Sequence, residues 1–150
     1  MNSVRLPAEW EAQSGVMLTW PHADTDWAYI LPDVERVYIN MAREILKREP
    51  LIIVTPHPEH VASLCPEATT LPCPTNDTWA RDHAFITTIG AGKQPFLNDF
   101  TFNGWGMKFA ANLDNQINSR IFPSGVFNGE YVSQLDFVLE GGSIESDGKG

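Results

Sequence analysis

The run Asn76-Asp77-Thr78-Trp79-Ala80-Arg81-Asp82-His83 gathers two carboxylates, a tryptophan, an arginine and a histidine within eight residues. A planar cation such as a guanidinium is held best by carboxylates placed for paired hydrogen bonds. The face of an indole attracts the same kind of group. Asp77 and Asp82 are five apart, so both can face one pocket, or only one can. The competing arrangement is structural: the acids cap turns and pair with Arg81. Trp79 is likewise either a wall for a cation or ordinary packing. Glu140 is the second candidate carboxylate. It follows the apolar "DFVL" and precedes Gly141-Gly142. An acid at the mouth of a strand, with glycines that let a ligand approach the backbone, is a common site design. A solvated strand end is the alternative.

The other reactive side chains make weaker patterns. "HPEH" sets His57 and His60 three apart around Glu59, whereas helical zinc pairs are four apart with a further ligand. His22 and His83 are of the type that carries protons, and also of the type that simply sits in loops. Cys65 and Cys73 form neither a disulfide framework nor a zinc pattern. Arg81 is the only cation near Cys73 in sequence that could activate it.

These residues need elements to position them. "GVMLTWP" (15–21) and "LIIVTP" (51–56) are short buried strands, each cut off by proline. Between them, Val34, Val37, Tyr38, Met41, Ala42, Ile45 and Leu46 recur in steps of three and four, predicting a helix over 33–48 capped by Asp33. A short helix over 59–64 and a strand near Thr70 follow. "AFITTI" (84–89) and "PFLNDFTF" (95–102) predict a hairpin across the turn 90–93. Phe109, Leu113 and Ile117, four apart, predict another helix. "SQLDFVLEGGSIES" predicts a strand, a Gly-Gly break and a second strand, and "DGKG" a turn. Strands and helices alternate, so the class is α/β or α+β, with a recurring strand-strand-helix-strand order.

Composition narrows the partners. The net charge of −9 argues against nucleic acid and suits a cationic ligand. No apolar run approaches membrane-spanning length. "MNSVRLPAEWEAQ" has no apolar leader core, and a reduced, cytoplasmic location is expected.

Taken together, "LPAEWEAQSGVMLTWPH", "DTDWA", "PTNDTWARDH", "FNGWGMKF" and "LEGGSIESDGKG" resemble the agmatine deiminase and bacterial-type peptidylarginine deiminase family, in order, from about residue 6 to 150. The resemblance implies a pentein fold, a propeller-like ring of strand-strand-helix-strand modules. It implies hydrolysis of a guanidinium to a ureido group with release of ammonia, through a cysteine thiouronium intermediate, with no cofactor and no metal. Asp82 then matches the guanidinium-clamping aspartate, Trp79 the pocket tryptophan and Glu140 a further carboxylate of the site. Asp77 becomes a structural partner of the loop. The expected partner is a small cationic guanidinium compound, with no nucleic acid and no membrane.

The family's catalytic histidine and cysteine motifs have no match in this sequence, and Ala84-Phe85 stands where relatives more often have Gly-Pro. The expectation is therefore that residues 1–150 are the N-terminal portion of one pentein-like catalytic domain, without an internal linker, and are inactive alone. The loop "NDFTFNGWGMKF" has Lys108 and no arginine for a substrate carboxylate, which leans towards agmatine over arginine or peptidyl-arginine. Two other classes stay open: an amidinotransferase-like enzyme on the same fold, and a non-catalytic guanidinium-binding module.

Overall fold

The computed structural model describes residues 4–149. Their contacts gather into two compact units. The first holds residues 13–80 and 112–114; the second holds 4–12, 81–111 and 115–149.

The first unit is built strand-helix-strand-helix-strand. β1 (Val16–Thr19), β2 (Leu51–Thr55) and β3 (Thr69–Pro72) form a sheet in that order, with both pairings parallel. α1 (Leu31–Leu46) and α2 (Pro58–Leu64) make the crossovers that parallel strands require. β2 is central and almost wholly buried, which is why it reads as the unbroken apolar run "LIIV". The core joins Trp20, Ala42, Leu51, Ile53, Val61 and Cys65, with Tyr38, Ile39, Ile45 and Leu46 of α1 against it. The helix face therefore differs slightly from expectation: Ile39 packs inward, while Val37 and Met41 are exposed. Asp33 does not cap α1. Pro32 occupies its first turn, Ile30 is the N-cap, and Asp33 pairs with Arg36.

The second unit carries the strand-strand-helix-strand order. β4 (Ile86–Ile89) pairs antiparallel with β5 (Pro95–Thr101), as the hairpin reading expected. β5 pairs parallel with β6 (Glu130–Val138), reached through the short helix α5 (Ile117–Ile121). A four-residue helix, α3 (Ala80–His83), stands where the sequence showed only loop. The helix expected through Phe109 and Leu113 is absent; only Ile117 of that series lies in a helix. Asp114 and Asn115 instead accept from the distant backbone amides of Asn76 and Phe102, and Asn112 accepts from the Asn76 side chain. After Glu140 comes a 3-10 turn (Gly141–Ser143), not a second strand.

An N-terminal strap belongs to this second unit. Arg5 bridges to Ile89 through two backbone hydrogen bonds, 3.0 and 2.9 Å. Its guanidinium forks onto Glu11 at 2.6 and 2.8 Å, holding that carboxyl down at about 2. The Ser146 hydroxyl donates to the Leu6 carbonyl at 2.9 Å. Gly148, at φ 80°, lies so close to Ala8 and Glu11 that a Cβ would come within 2.5 Å of Glu11 Oε1.

Candidate functional site

In the first unit the chemistry collects at the loop 75–79. Its residues are tied down by partners along residues 22–27 and by Asp114. Thr75 Oγ1 meets His22 Nε2 at 3.0 Å. The Asn76 amide donates to Asp114 Oδ1 at 2.7 Å. The Thr78 amide donates to Asp77 Oδ1 at 2.8 Å, and Trp27 Nε1 donates to Thr78 Oγ1 at 3.0 Å. Trp79 is then presented half-exposed, tilted 42° against Trp27 with ring centroids 6.2 Å apart. Two indoles beside a carboxylate can take a flat cation between a π face and a charge. Burial raises the Asp77 carboxyl above its usual range, while hydrogen bonds from Thr78 and Trp79 oppose this and Asp26 adds to it. Burial also lowers His22, so it is not poised to hold a proton near neutral pH.

In the second unit the Gly141-Gly142 turn that follows Glu140 meets Asp82. The Gly142 amide donates to Asp82 Oδ1 at 3.1 Å. The turn lies on α3 so tightly that a Cβ on Gly141 would sit 2.1 Å from the Arg81 carbonyl, and one on Gly142 2.4 Å from Asp82 Oδ1. The glycines thus admit the chain's own Arg81–Asp82 segment, where the sequence suggested room for a ligand. Ser143 closes the turn, its amide and hydroxyl donating to the Glu140 carbonyl at 3.1 and 2.7 Å. Arg81 pairs away from both loop aspartates. Its guanidinium reaches Glu9 at 2.5 Å and the Ile144 carbonyl at 3.2 Å.

Beneath α3 lies a buried polar network that the sequence did not show. Asn118 Nδ2 donates to the His83 carbonyl at 2.9 Å and to Asp99 Oδ1 at 2.8 Å. Tyr131 donates its hydroxyl to Asp99 Oδ2 at 2.7 Å, and burial beside that carboxylate pushes the phenol up to about 12. His83 is 3% exposed and burial drives it down to about 4. It is a neutral core residue, which removes it as a proton carrier near pH 7.

Past β5, residues 104–107 all have positive φ: 61°, 56°, 78° and 64°. Gly104–Met107 (α4) is one left-handed turn, closed by Met107 N to Asn103 O at 2.7 Å and Gly106 N to Asn103 Oδ1 at 2.8 Å. Left-handed runs cost L-residues about 1–2 kcal/mol each, and Trp105 and Met107 both carry that strain. Trp105 is wedged edge-on between Phe102 and Phe109, with centroids 5.0 and 5.6 Å away.

The cysteines do not form a reactive centre. Both are buried, and burial raises the Cys65 thiol. His60 pairs with Glu35 at 2.7 Å rather than with a ligand set. Among the described residues no three His, Cys, Asp or Glu side chains could hold a metal ion, and no helix is long and apolar enough to cross a membrane.

The sequence profile of the Porphyromonas-type peptidyl-arginine deiminase family matches residues 5–150. A cysteine-to-serine variant of the C. jejuni agmatine deiminase with substrate bound is 32% identical, with TM-score 0.90 over 99% of this chain and 44% of that one. A Porphyromonas gingivalis structure provisionally assigned as an arginine deiminase is 43% identical, with TM-score 0.86 over 98% of this chain and 45% of that one. A Selenomonas ruminantium protein provisionally named an agmatine deiminase is 32% identical, matching 97% of this chain. The chain spans 42% of that relative's length.

Proposed function

Because this chain belongs to the Porphyromonas-type peptidyl-arginine deiminase family, we propose that the whole protein hydrolyses a guanidinium group to a ureido group and ammonia, with agmatine as substrate and N-carbamoylputrescine as product. The observation that carries this reading is the Asp82 carboxylate, fixed at one oxygen by the Gly142 amide beside Glu140. Carboxylates held in place by the fold bind a delocalised cation without reorganising, which is where charge-assisted hydrogen bonds gain most. In this reading Asp82 and Glu140 hold and polarise the guanidinium, and Trp79 offers it a π face.

The chemistry is nucleophilic. A cysteine thiolate adds to the guanidinium carbon, ammonia leaves with a proton, and water displaces the sulfur from the resulting thiouronium to give the ureido product. Buried Cys65 and Cys73 do not fit the nucleophile. That group is then outside residues 1–150, and these residues by themselves release no ammonia. The location is cytoplasmic, and no metal or cofactor takes part.

A second substrate reading, arginine or peptidyl-arginine, is favoured by the 43% identity to the P. gingivalis structure. The single cation Lys108 in the loop 98–109 favours agmatine. The deciding experiment assays the full-length protein for ammonia and ureido product from agmatine, free arginine and a peptide ending in arginine. Turnover of agmatine at least tenfold above the others in kcat/KM, on the order expected when a carboxylate has no partner, supports the reading. Transfer of the amidino group to an added amine, with no free ammonia, would overturn it.

A further inference from the structure

Asp114 is 2% exposed, and no lysine or arginine is paired with it among the described residues. A buried carboxylate without a cation is costly. What it does have is the backbone of the loop before Trp79: Oδ1 accepts from Asn76 N at 2.7 Å and from Asp77 N at 3.4 Å. Asn76 returns the contact. Its Oδ1 accepts from Leu113 N at 2.7 Å and Asp114 N at 3.2 Å, and its Nδ2 donates to Asn112 Oδ1 at 3.3 Å. Two side chains some 38 residues apart thus grip one another's backbone reciprocally. A tight turn needs one such bond; this loop has five across the two segments.

The bonds end where the recognition surface begins. Asp77 follows Asn76 directly and Trp79 comes three residues on, exposed and with its ring set against Trp27. Fixing the backbone at 76 and 77 fixes the angle at which the indole is offered, before any ligand arrives. Ordering a loop on binding would instead be charged against affinity. Asp114, being buried, lies off any surface that would touch a flat cation.

We propose that Asp114 and Asn76 are positioning residues that preset the Asp77–Trp79 loop for guanidinium binding, acting on substrate affinity and not on the chemical step. This rests on the reading of Trp79 as a wall of the guanidinium site.

The test uses the full-length protein, with wild type, Asp114→Ala, Asp114→Asn and Asn76→Ala compared by steady-state kinetics on agmatine and by amide hydrogen exchange. The expected result is a KM raised about tenfold or more in Asp114→Ala and Asn76→Ala, with kcat within about threefold of wild type. Asp114→Asn keeps an acceptor for both amides and returns KM to within about threefold. Exchange quickens at residues 76–78 and not in β2. An unchanged KM despite faster exchange at 76–78 overturns the assignment, as does a fall in kcat with KM unchanged. If Asp114→Ala fails to fold, Asp114→Asn and Asn76→Ala still decide it. A wild type that neither binds nor hydrolyses agmatine or arginine removes the reading of Trp79 as well; a responsive wild type with unresponsive variants removes this assignment alone.

Discussion

The two units place their buried polar groups differently. The first packs a parallel sheet against α1 and α2 around an apolar core that includes Ile53 at 0% exposure, and gathers the buried polar side chains Thr75, Thr78 and Asp114 at the loop 75–79. The second buries Asn98 and Asp99 on β5 together with Asn118 and His83, and Asn118 links Asp99 to the His83 carbonyl of α3. Apolar burial is non-directional and gives stability. A hydrogen-bonded polar network is directional and favours one geometry. The difference teaches where each unit places its polar constraint: the first at the loop before Trp79, beside its apolar platform, the second beneath the segment that carries Asp82.

Substitutions can break that comparison in order of size. Asp82→Ala in the full-length protein is expected to lower kcat/KM by about a thousandfold or more, on the order of 4 kcal/mol, with little change in melting temperature. Near-normal activity on agmatine in a steady-state assay would remove Asp82 from the site. Ile53→Ala is expected to cost about 3–4 kcal/mol in urea unfolding, because it empties a fully buried position of a close-packed core. Asp99→Ala, in the other unit, is expected to cost less, about 2–3 kcal/mol, by orphaning the donors of Asn118 and Tyr131. If the two costs come out reversed, the division between packing and polar constraint fails.

Acid sharpens the same contrast. His83 titrates at about 4 when folded against an ordinary 6.5. The unfolded chain therefore binds the extra proton first, and stability drops as pH falls from 6.5 towards 4. Asp114 is raised to about 6 from 3.8 by burial. There the folded chain binds the proton first, and stability rises as pH falls through 6 towards 3.8. The wild type should show partial cancellation. His83→Gln should flatten the acid loss, and Asp114→Asn should steepen it, each by about 2 kcal/mol between pH 6.5 and 4.5 in denaturant melts. The smallest effect belongs to the left-handed turn. Met107 is 86% exposed at φ 64°, and Met107→Gly should stabilise by about 0.5–1 kcal/mol, since glycine tolerates that conformation and loses no buried contact.

Elements with a local signal were legible. α1 follows from its three-and-four spacing, β2 from its β-branched run, and the β4–β5 hairpin from two alternating strands around a glycine turn. The placement of Asp82 beside the Gly141 turn was legible only through resemblance, since sixty residues separate the Asp82–Gly142 pair. The Gly-Gly pair was visible, but its purpose was not, because a close approach has two sides and the sequence shows one. The Asn76–Asp114 grip had no local signal at all. The helix expected through Phe109 and Leu113 was a false periodicity: its spacing was right, but it ran across a left-handed turn and an Asn/Asp-rich stretch, whose side chains compete for the backbone.

The strap of residues 4–12 has a consequence for the order in which the protein comes into being. It leaves the ribosome well before its partners in the second unit, which include Ile89, Ser146 and Gly148. The parallel sheet of the first unit has all three strands once Pro72 has emerged, while the strap waits unpaired for the rest. At about 5–20 residues per second that delay lasts seconds. Arg5, Glu9 and Glu11 keep the waiting segment charged, and so poorly suited to pairing with a neighbour while it waits.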